Sequence, residues 1–259
     1  MKKLVISGCS MSTDSTCIDS HESSNSVIKN YRSYPSYIKE KKLFDIHNVS
    51  KSALDNGTIY RNLVSIVEKL LDQKVLVKDI FCIVQWSGID RHSLYSEEEK
   101  KWVLSTQSDL NTPLWINYYK NEHNDKNVLD NTLENIRKAQ EFLSSHGIKY
   151  FMFTGWNIFE DTLILSDYNI DESKFWFYKS EHWNSFELNI IKDRNCLYPS
   201  NKYKTPPIKK YGGMNEWVRK NIDEKLWSRH NVGHMRDDRH PSNIAQKVFC
   251  EEVIMKLIK

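Results

Sequence analysis

The chain has 259 residues, 39% of them hydrophobic, with 37 basic against 34 acidic side chains and a net charge of +3. That length suits one α/β domain with insertions, and the apolar fraction suffices for a packed core. So small a charge excess, with no basic run long enough to form a patch, argues against nucleic acid or membrane as partners.

No segment approaches the length of a transmembrane helix. After Lys2-Lys3 the apolar run stops at Leu4-Val5-Ile6, short of the roughly 7–15 residues that a signal peptide needs. The expectation is a cytoplasmic chain where it is made, although a viral or unconventionally exported protein would look the same. The five cysteines (Cys9, Cys17, Cys82, Cys196 and Cys250) are odd in number, widely spaced and without a C-x-x-C. They predict reduced, mostly buried thiols and neither a disulfide framework nor a zinc site.

In chain order, Lys3–Ser7 reads as a short buried strand ending in the tight turn Gly8-Cys9-Ser10. Phe44–Val49 is a second strand candidate. Ile59, Leu63, Ile66, Val67, Leu70 and Leu71 recur at helical spacing, which predicts a helix over Ile59–Asp72. Ile80–Gln85 is a continuous apolar run, as expected of a central parallel strand. Asn131 and Glu134 have the spacing of a capping box, from which Ile136, Ala139 and Leu143 carry a helix to a C-cap at Gly147. Ile148–Thr154 is the next strand, and Ala245, Val248, Phe249 and Leu257 mark a terminal helix. This alternation predicts a parallel sheet with helices on both faces. Ligands in such folds bind at the carboxyl ends of the strands, where Ser10, Trp86 and Trp156 fall.

Two segments exceed a minimal domain. Residues 89–130 form a polar, partly helical insertion. Residues 157–235 form a longer one, crowded with Phe175, Trp176, Phe177, Tyr178, Trp183, Phe186, Trp217 and Trp227 and punctuated by Pro206-Pro207 and Gly212-Gly213. These aromatics either stack on sugar rings at the site's rim or glue the insertion to the core. The second role is favoured for most of them.

Chemistry concentrates at the two ends. Ser10 follows a hydrophobic strand on a Gly-x-Ser turn, which exposes a hydroxyl at the sheet's edge; it becomes a nucleophile only beside a base. At the other end, Asp237-Asp238-Arg239-His240-Pro241-Ser242 precedes the terminal helix. An Asp and a His three apart on a loop can share one site. The imidazole takes the serine proton and the carboxylate orients the imidazole. The plainer reading of each stretch is an ordinary turn serine and a solvated charged turn. Cys9 reads as a packed small residue, since it alternates with Ser10 and no basic neighbour lowers its pKa. His182, His230 and His234 match no zinc spacing.

Taken together, Gly8-Cys9-Ser10-Met11-Ser12 resembles the GDSxS block that opens SGNH (GDSL-type) hydrolases, and Asp237-x-x-His240-Pro241-Ser242 resembles their closing block. The resemblance spans nearly the whole chain. It implies a flavodoxin-like α/β/α sandwich and ester hydrolysis through an acyl-enzyme, with Ser10 as nucleophile, His240 as base and Asp237 as its orienter. Asp238 is the adjacent competitor. Asn48 through Ala53 looks like the family's second block, which puts Ala53 at its glycine oxyanion donor, with Gly57 as the alternative if the register slips by four. The family's third block, G-x-N-D, is replaced by Trp86-Ser87-Gly88-Ile89-Asp90-Arg91, which is similar to a Trp-Ser…Arg variant in SGNH-like proteins of phages and other viruses. Trp86, Ser87 and Arg91 are then expected beside the substrate, and Ser87, Gly88 or Arg91 replaces the missing asparagine donor.

The resulting expectation is a serine esterase acting on a small acyl ester, such as an O-acetyl group on a carbohydrate, with no metal or organic cofactor. Acyl transfer on the same triad and a non-catalytic glycan-binding module are the alternatives.

Overall fold

The computed structural model describes residues 1–14, 31–89, 91–105, 110–179, 210–223, 226 and 240–258. Its centre is a parallel sheet of four strands: β1 (Lys3–Ser7), β2 (Asp45–Asn48), β3 (Ile80–Trp86) and, later in the chain, β6 (Lys149–Thr154). Their order across the sheet is β2-β1-β3-β6, with Ser7 beside Val84 and Trp86 beside Thr154. The pleat sorts the side chains. Val5, Cys82, Val84 and Met152 face one hydrophobic cluster; Leu4, Ile6, Ile83, Phe151 and Phe153 face the other. Both faces are therefore covered, which is why β1, β3 and β6 read as apolar runs.

Helices α2 (Asn56–Asp72) and α4 (Asp125–Ser145) cover the first face with Ile59, Leu63, Val67, Leu133, Ile136 and Leu143. The second face carries α1 (Tyr34–Glu40), α5 (Met214–Asn221) and α6 (Asn243–Phe249); α6 continues through a π turn (Cys250–Ile254) into a last turn, α7 (Met255–Leu257). This is the three-layer α/β/α arrangement that the alternation of elements predicts. Each fully buried aliphatic or aromatic side chain contributes about 1.5–3 kcal/mol of hydrophobic stabilisation.

The boundaries differ from the sequence reading in instructive ways. Helix α2 begins three residues early, because the Asp55 carboxylate accepts from Thr58 N (2.9 Å) and from Thr58 Oγ1 (2.7 Å). Helix α4 begins at an Asn124 cap, not at Asn131. Asn131 and Glu134 lie inside the helix, where the Glu134 carboxylate pairs with Arg137 and Lys138 instead of a helix terminus. Gly147 does take the left-handed conformation, φ 67°, just past the helix. The insertion expected over 89–130 holds an antiparallel hairpin, β4 (Ser93–Ser96) and β5 (Lys101–Leu104), then α3 (Pro113–Asn121) and the start of α4. Arg61 of α2 lies over the Trp102 ring at 4.1 Å and ties this hairpin to the first turns of α2.

In the second insertion the described aromatics serve packing. Trp176 N donates to Met152 O at 2.8 Å beside β6. Phe175 and Phe177 lie against one cluster, Trp176, Tyr178 and Trp217 against the other. Trp183, Phe186 and Trp227 fall outside the described residues. Cys9, Cys82 and Cys250 are free and buried, and burial pushes the Cys82 thiol well above its ordinary pKa. Among the described residues no helix is long and apolar enough to cross a membrane.

Asp55→Ala leaves the α2 terminus uncapped at a residue only 3% exposed. It should cost about 1 kcal/mol, read as a lower urea midpoint with an unchanged slope.

Candidate active site

The turn after β1 is built for close packing. A Cβ on Gly8 would stand 2.8 Å from Ser12 Oγ and 3.0 Å from Gln85 Cβ, so only glycine lets the chain pass. Residues Ser10–Ser12 then make a single 3-10 turn, closed by Ser12 N to Cys9 O at 2.9 Å. Gln85 reaches under it from β3. Its Oε1 accepts from Ser12 Oγ (2.9 Å) and Cys9 N (3.3 Å), while its Nε2 donates to Trp86 O (2.8 Å) and Cys9 Sγ (3.2 Å). Ser12 Oγ also contacts the Tyr34 hydroxyl at 3.0 Å, and burial pushes that phenol's pKa up, so it stays neutral. The Cys9 thiol is fully buried against Gln85.

The other half of the site arrives from the far end of the sequence. Ser242 caps α6, accepting from Ala245 N at 3.2 Å, and Pro241 precedes it. Gln246 then moors the helix. It is fully buried, donates to Met11 O (3.1 Å) and to the Tyr31 hydroxyl (2.7 Å), and accepts from Tyr34 N (3.0 Å). Asn243 adds Oδ1 for Arg32 N at 2.9 Å and its carbonyl for the Tyr37 hydroxyl at 3.0 Å. These contacts deliver His240 to the Ser10 turn: Nε2 lies 2.6 Å from Ser10 Oγ. Asp237 and Asp238 lie outside the described residues, as do His182, His230 and His234.

Around this pair, Asn48 holds the turn from the β2 side. Its Nδ2 donates to Ser12 O (2.8 Å) and its Oδ1 accepts from Ser50 N (3.0 Å). The loop onward to α2 passes Ala53 with φ 67°, a conformation that costs a non-glycine residue about 1–2 kcal/mol. Gly57, the alternative donor, lies in the first turn of α2 and has no such φ. Asn56 pins the next strand end, accepting from Ser87 N at 2.8 Å and donating to Thr132 Oγ1 at 3.1 Å.

The three residues expected beside the substrate divide. Trp86 is fully buried in the core, with its indole N–H toward Met152 Sδ at 3.4 Å, so its ring packs beneath the site and presents no face to a ligand. Ser87 is buried too, but its hydroxyl has no hydrogen-bond partner; the same holds for Ser50 Oγ and Thr154 Oγ1. These three orphaned hydroxyls stand at the carboxyl ends of β2, β3 and β6. Arg91 lies over the Trp156 ring, its guanidinium carbon 5.3 Å from the centroid. Among the described residues no group of three or more metal-ligating side chains occurs. Gln85, Asn56 and Gln246 escape sequence reading, because nothing in their spacing marks a buried amide.

No protein-family model matches the chain and no curated protein matches it. Among solved structures, the chain is similar to a protein from Desulfitobacterium hafniense DCB-2 described as a candidate lipolytic protein of the G-D-S-L family. The two share 12% identity and a TM-score of 0.41, with 97% of each chain covered. At that identity and score the likeness transfers no activity.

Gln246→Met keeps the volume of the side chain but removes the side-chain partner of Met11 O and Tyr34 N in the interior. Stability should fall by about 1–3 kcal/mol, measured by chemical denaturation.

Proposed function

We propose that the chain is a serine esterase, and the observation that carries this reading is the 2.6 Å approach of Ser10 Oγ to His240 Nε2. A serine and an imidazole brought together from opposite ends of the chain, at a strand's carboxyl end, form the nucleophile–base pair of acyl transfer. In the forward step His240 accepts the Ser10 proton as Oγ attacks the ester carbonyl. The imidazolium then returns the proton to the departing alcohol. Water, activated by the same nitrogen, releases the acid from the acyl-enzyme.

Asp237 is assigned as the carboxylate that orients His240. The backbone N–H groups of Ser10 and Ala53 are assigned as oxyanion donors. The left-handed φ of Ala53 supports the second assignment, because a strained backbone persists where the surrounding structure demands it. A small acyl group, O-acetyl on a carbohydrate among them, fits a nucleophile that is only 4% exposed.

A fluorophosphonate should label Ser10 and spare Cys9, and Asp237→Asn should reduce kcat on a short-chain ester by about 10⁴ while Asp238→Asn leaves it near normal. Label elsewhere, or the larger loss in Asp238→Asn, rejects the assignment. Ala53 separates backbone from donor effects. Ala53→Gly relieves φ and should hold kcat within about threefold, whereas Ala53→Pro removes the N–H and should lower kcat by about 10²–10³. Both variants are to be compared at matched thermal stability, and a stable Ala53→Pro enzyme with normal turnover removes Ala53 from the oxyanion hole.

A further inference from the structure

We propose that Arg91 selects esters carrying an acidic group near the scissile bond, an inference that rests on the esterase reading of Ser10 and His240. Arg91 Nη1 is buried and has no hydrogen-bond partner among the described residues. A guanidinium cannot shed its proton, and a desolvated donor without an acceptor costs free energy until one arrives. The acceptor that relieves most of that cost is an anionic oxygen, because it satisfies the donor and the charge at once.

The placement directs this demand at the substrate. The guanidinium carbon lies 5.3 Å from the centroid of the Trp156 ring, and Trp156 packs against both hydrophobic clusters where the strands end. A guanidinium set against an aromatic ring keeps its N–H groups for an acceptor. Trp156 follows Gly155, where an added Cβ would stand 2.7 Å from Gln85 Nε2 and 3.1 Å from Met11 Sδ. The corner that carries Trp156 is thus pressed onto the turn that carries Ser10. Ser87 and Thr154, both fully buried, leave two partnerless hydroxyls at the same strand ends.

The rival acceptor is the transient oxyanion, which forms from every ester whatever its charge. Selectivity therefore separates the two. The test uses 4-acetoxybenzoate, with its carboxylate on the alcohol side, and 4-nitrophenyl hydrogen succinate, with its carboxylate on the acyl side, each against its own methyl ester. In the unmodified protein, kcat/KM for at least one acid should exceed that of its methyl ester by about tenfold or more, and the pair that responds tells on which side of the ester the charge lies. Arg91→Gln should collapse that ratio, and Arg91→Lys should keep part of it. A ratio at or below one in both pairs overturns the proposal without any variant. A ratio unmoved by Arg91→Gln, with acid and methyl ester slowed alike, places Arg91 at the oxyanion and also overturns it. Failure of the esterase reading looks different: none of the four esters turns over and Ser10 takes no fluorophosphonate. Calorimetric titration of 4-acetoxybenzoate and of hydrogen succinate into Ser10→Ala protein then decides. Binding lost with Arg91→Gln upholds the anion site, and binding that is absent or unchanged removes it.

Discussion

A turn of backbone buried among packed elements must have its polar groups satisfied from within, and the Ser10–Ser12 turn is buried throughout. Two glutamines meet this demand. Gln85 comes from the strand below and Gln246 from the last long helix, and between them they serve the Cys9 amide, the Ser12 hydroxyl and the Met11 carbonyl. Asn48 takes the Ser12 carbonyl from the third side. The position of Ser10 follows from this satisfaction more than from its own contacts, since its hydroxyl is left with His240 as its close partner.

The same economy fixes the neighbouring elements. Because Gln246 also accepts from Tyr34 N, helix α1 is wedged between the turn and α6, and Asn243 closes the far end of that wedge. On the opposite side Asn56 joins the start of α2 to the end of β3 through Ser87. Side-chain amides thus do at three corners what a sheet ladder does along a strand, holding irregular backbone where strands stop. A hydrogen bond of this kind is worth about 1 kcal/mol net, but a partner lost in the interior leaves a donor or acceptor that costs more.

How much of this is legible in the sequence follows from the range of each signal. Strands β1, β3 and β6 are apolar runs, and periodicity alone finds them. The core of α2 is visible in Ile59, Leu63 and Val67, but its true start depends on Asp55, whose capping role is local and easily overlooked. Asn131 and Glu134 imitate a cap; Arg137 and Lys138 on the following turn claim the glutamate instead. Ser10 and His240 are legible because the Gly-x-Ser turn and the histidine loop each have a short signature. The residues that join them are not, since a buried glutamine on a helix reads as solvent-facing until tertiary structure covers it. Trp86 misleads for the opposite reason: it adjoins the site in sequence, yet its ring turns into the core.

The Ser10–His240 contact spans 230 positions and the Gln246–Met11 contact 235. Closing so long a loop carries an entropic penalty that local elements do not meet. The sheet and its first helical layer can assemble from the preceding chain, whereas the Ser10–Ser12 turn gains its last partners only after residue 246 has been synthesised. During translation, then, a growing chain carries β1 and Ser10 through 230 further positions before His240 can stand beside the hydroxyl. The Ser10–His240 pairing thus forms only once the segment that carries α6 has emerged and docked.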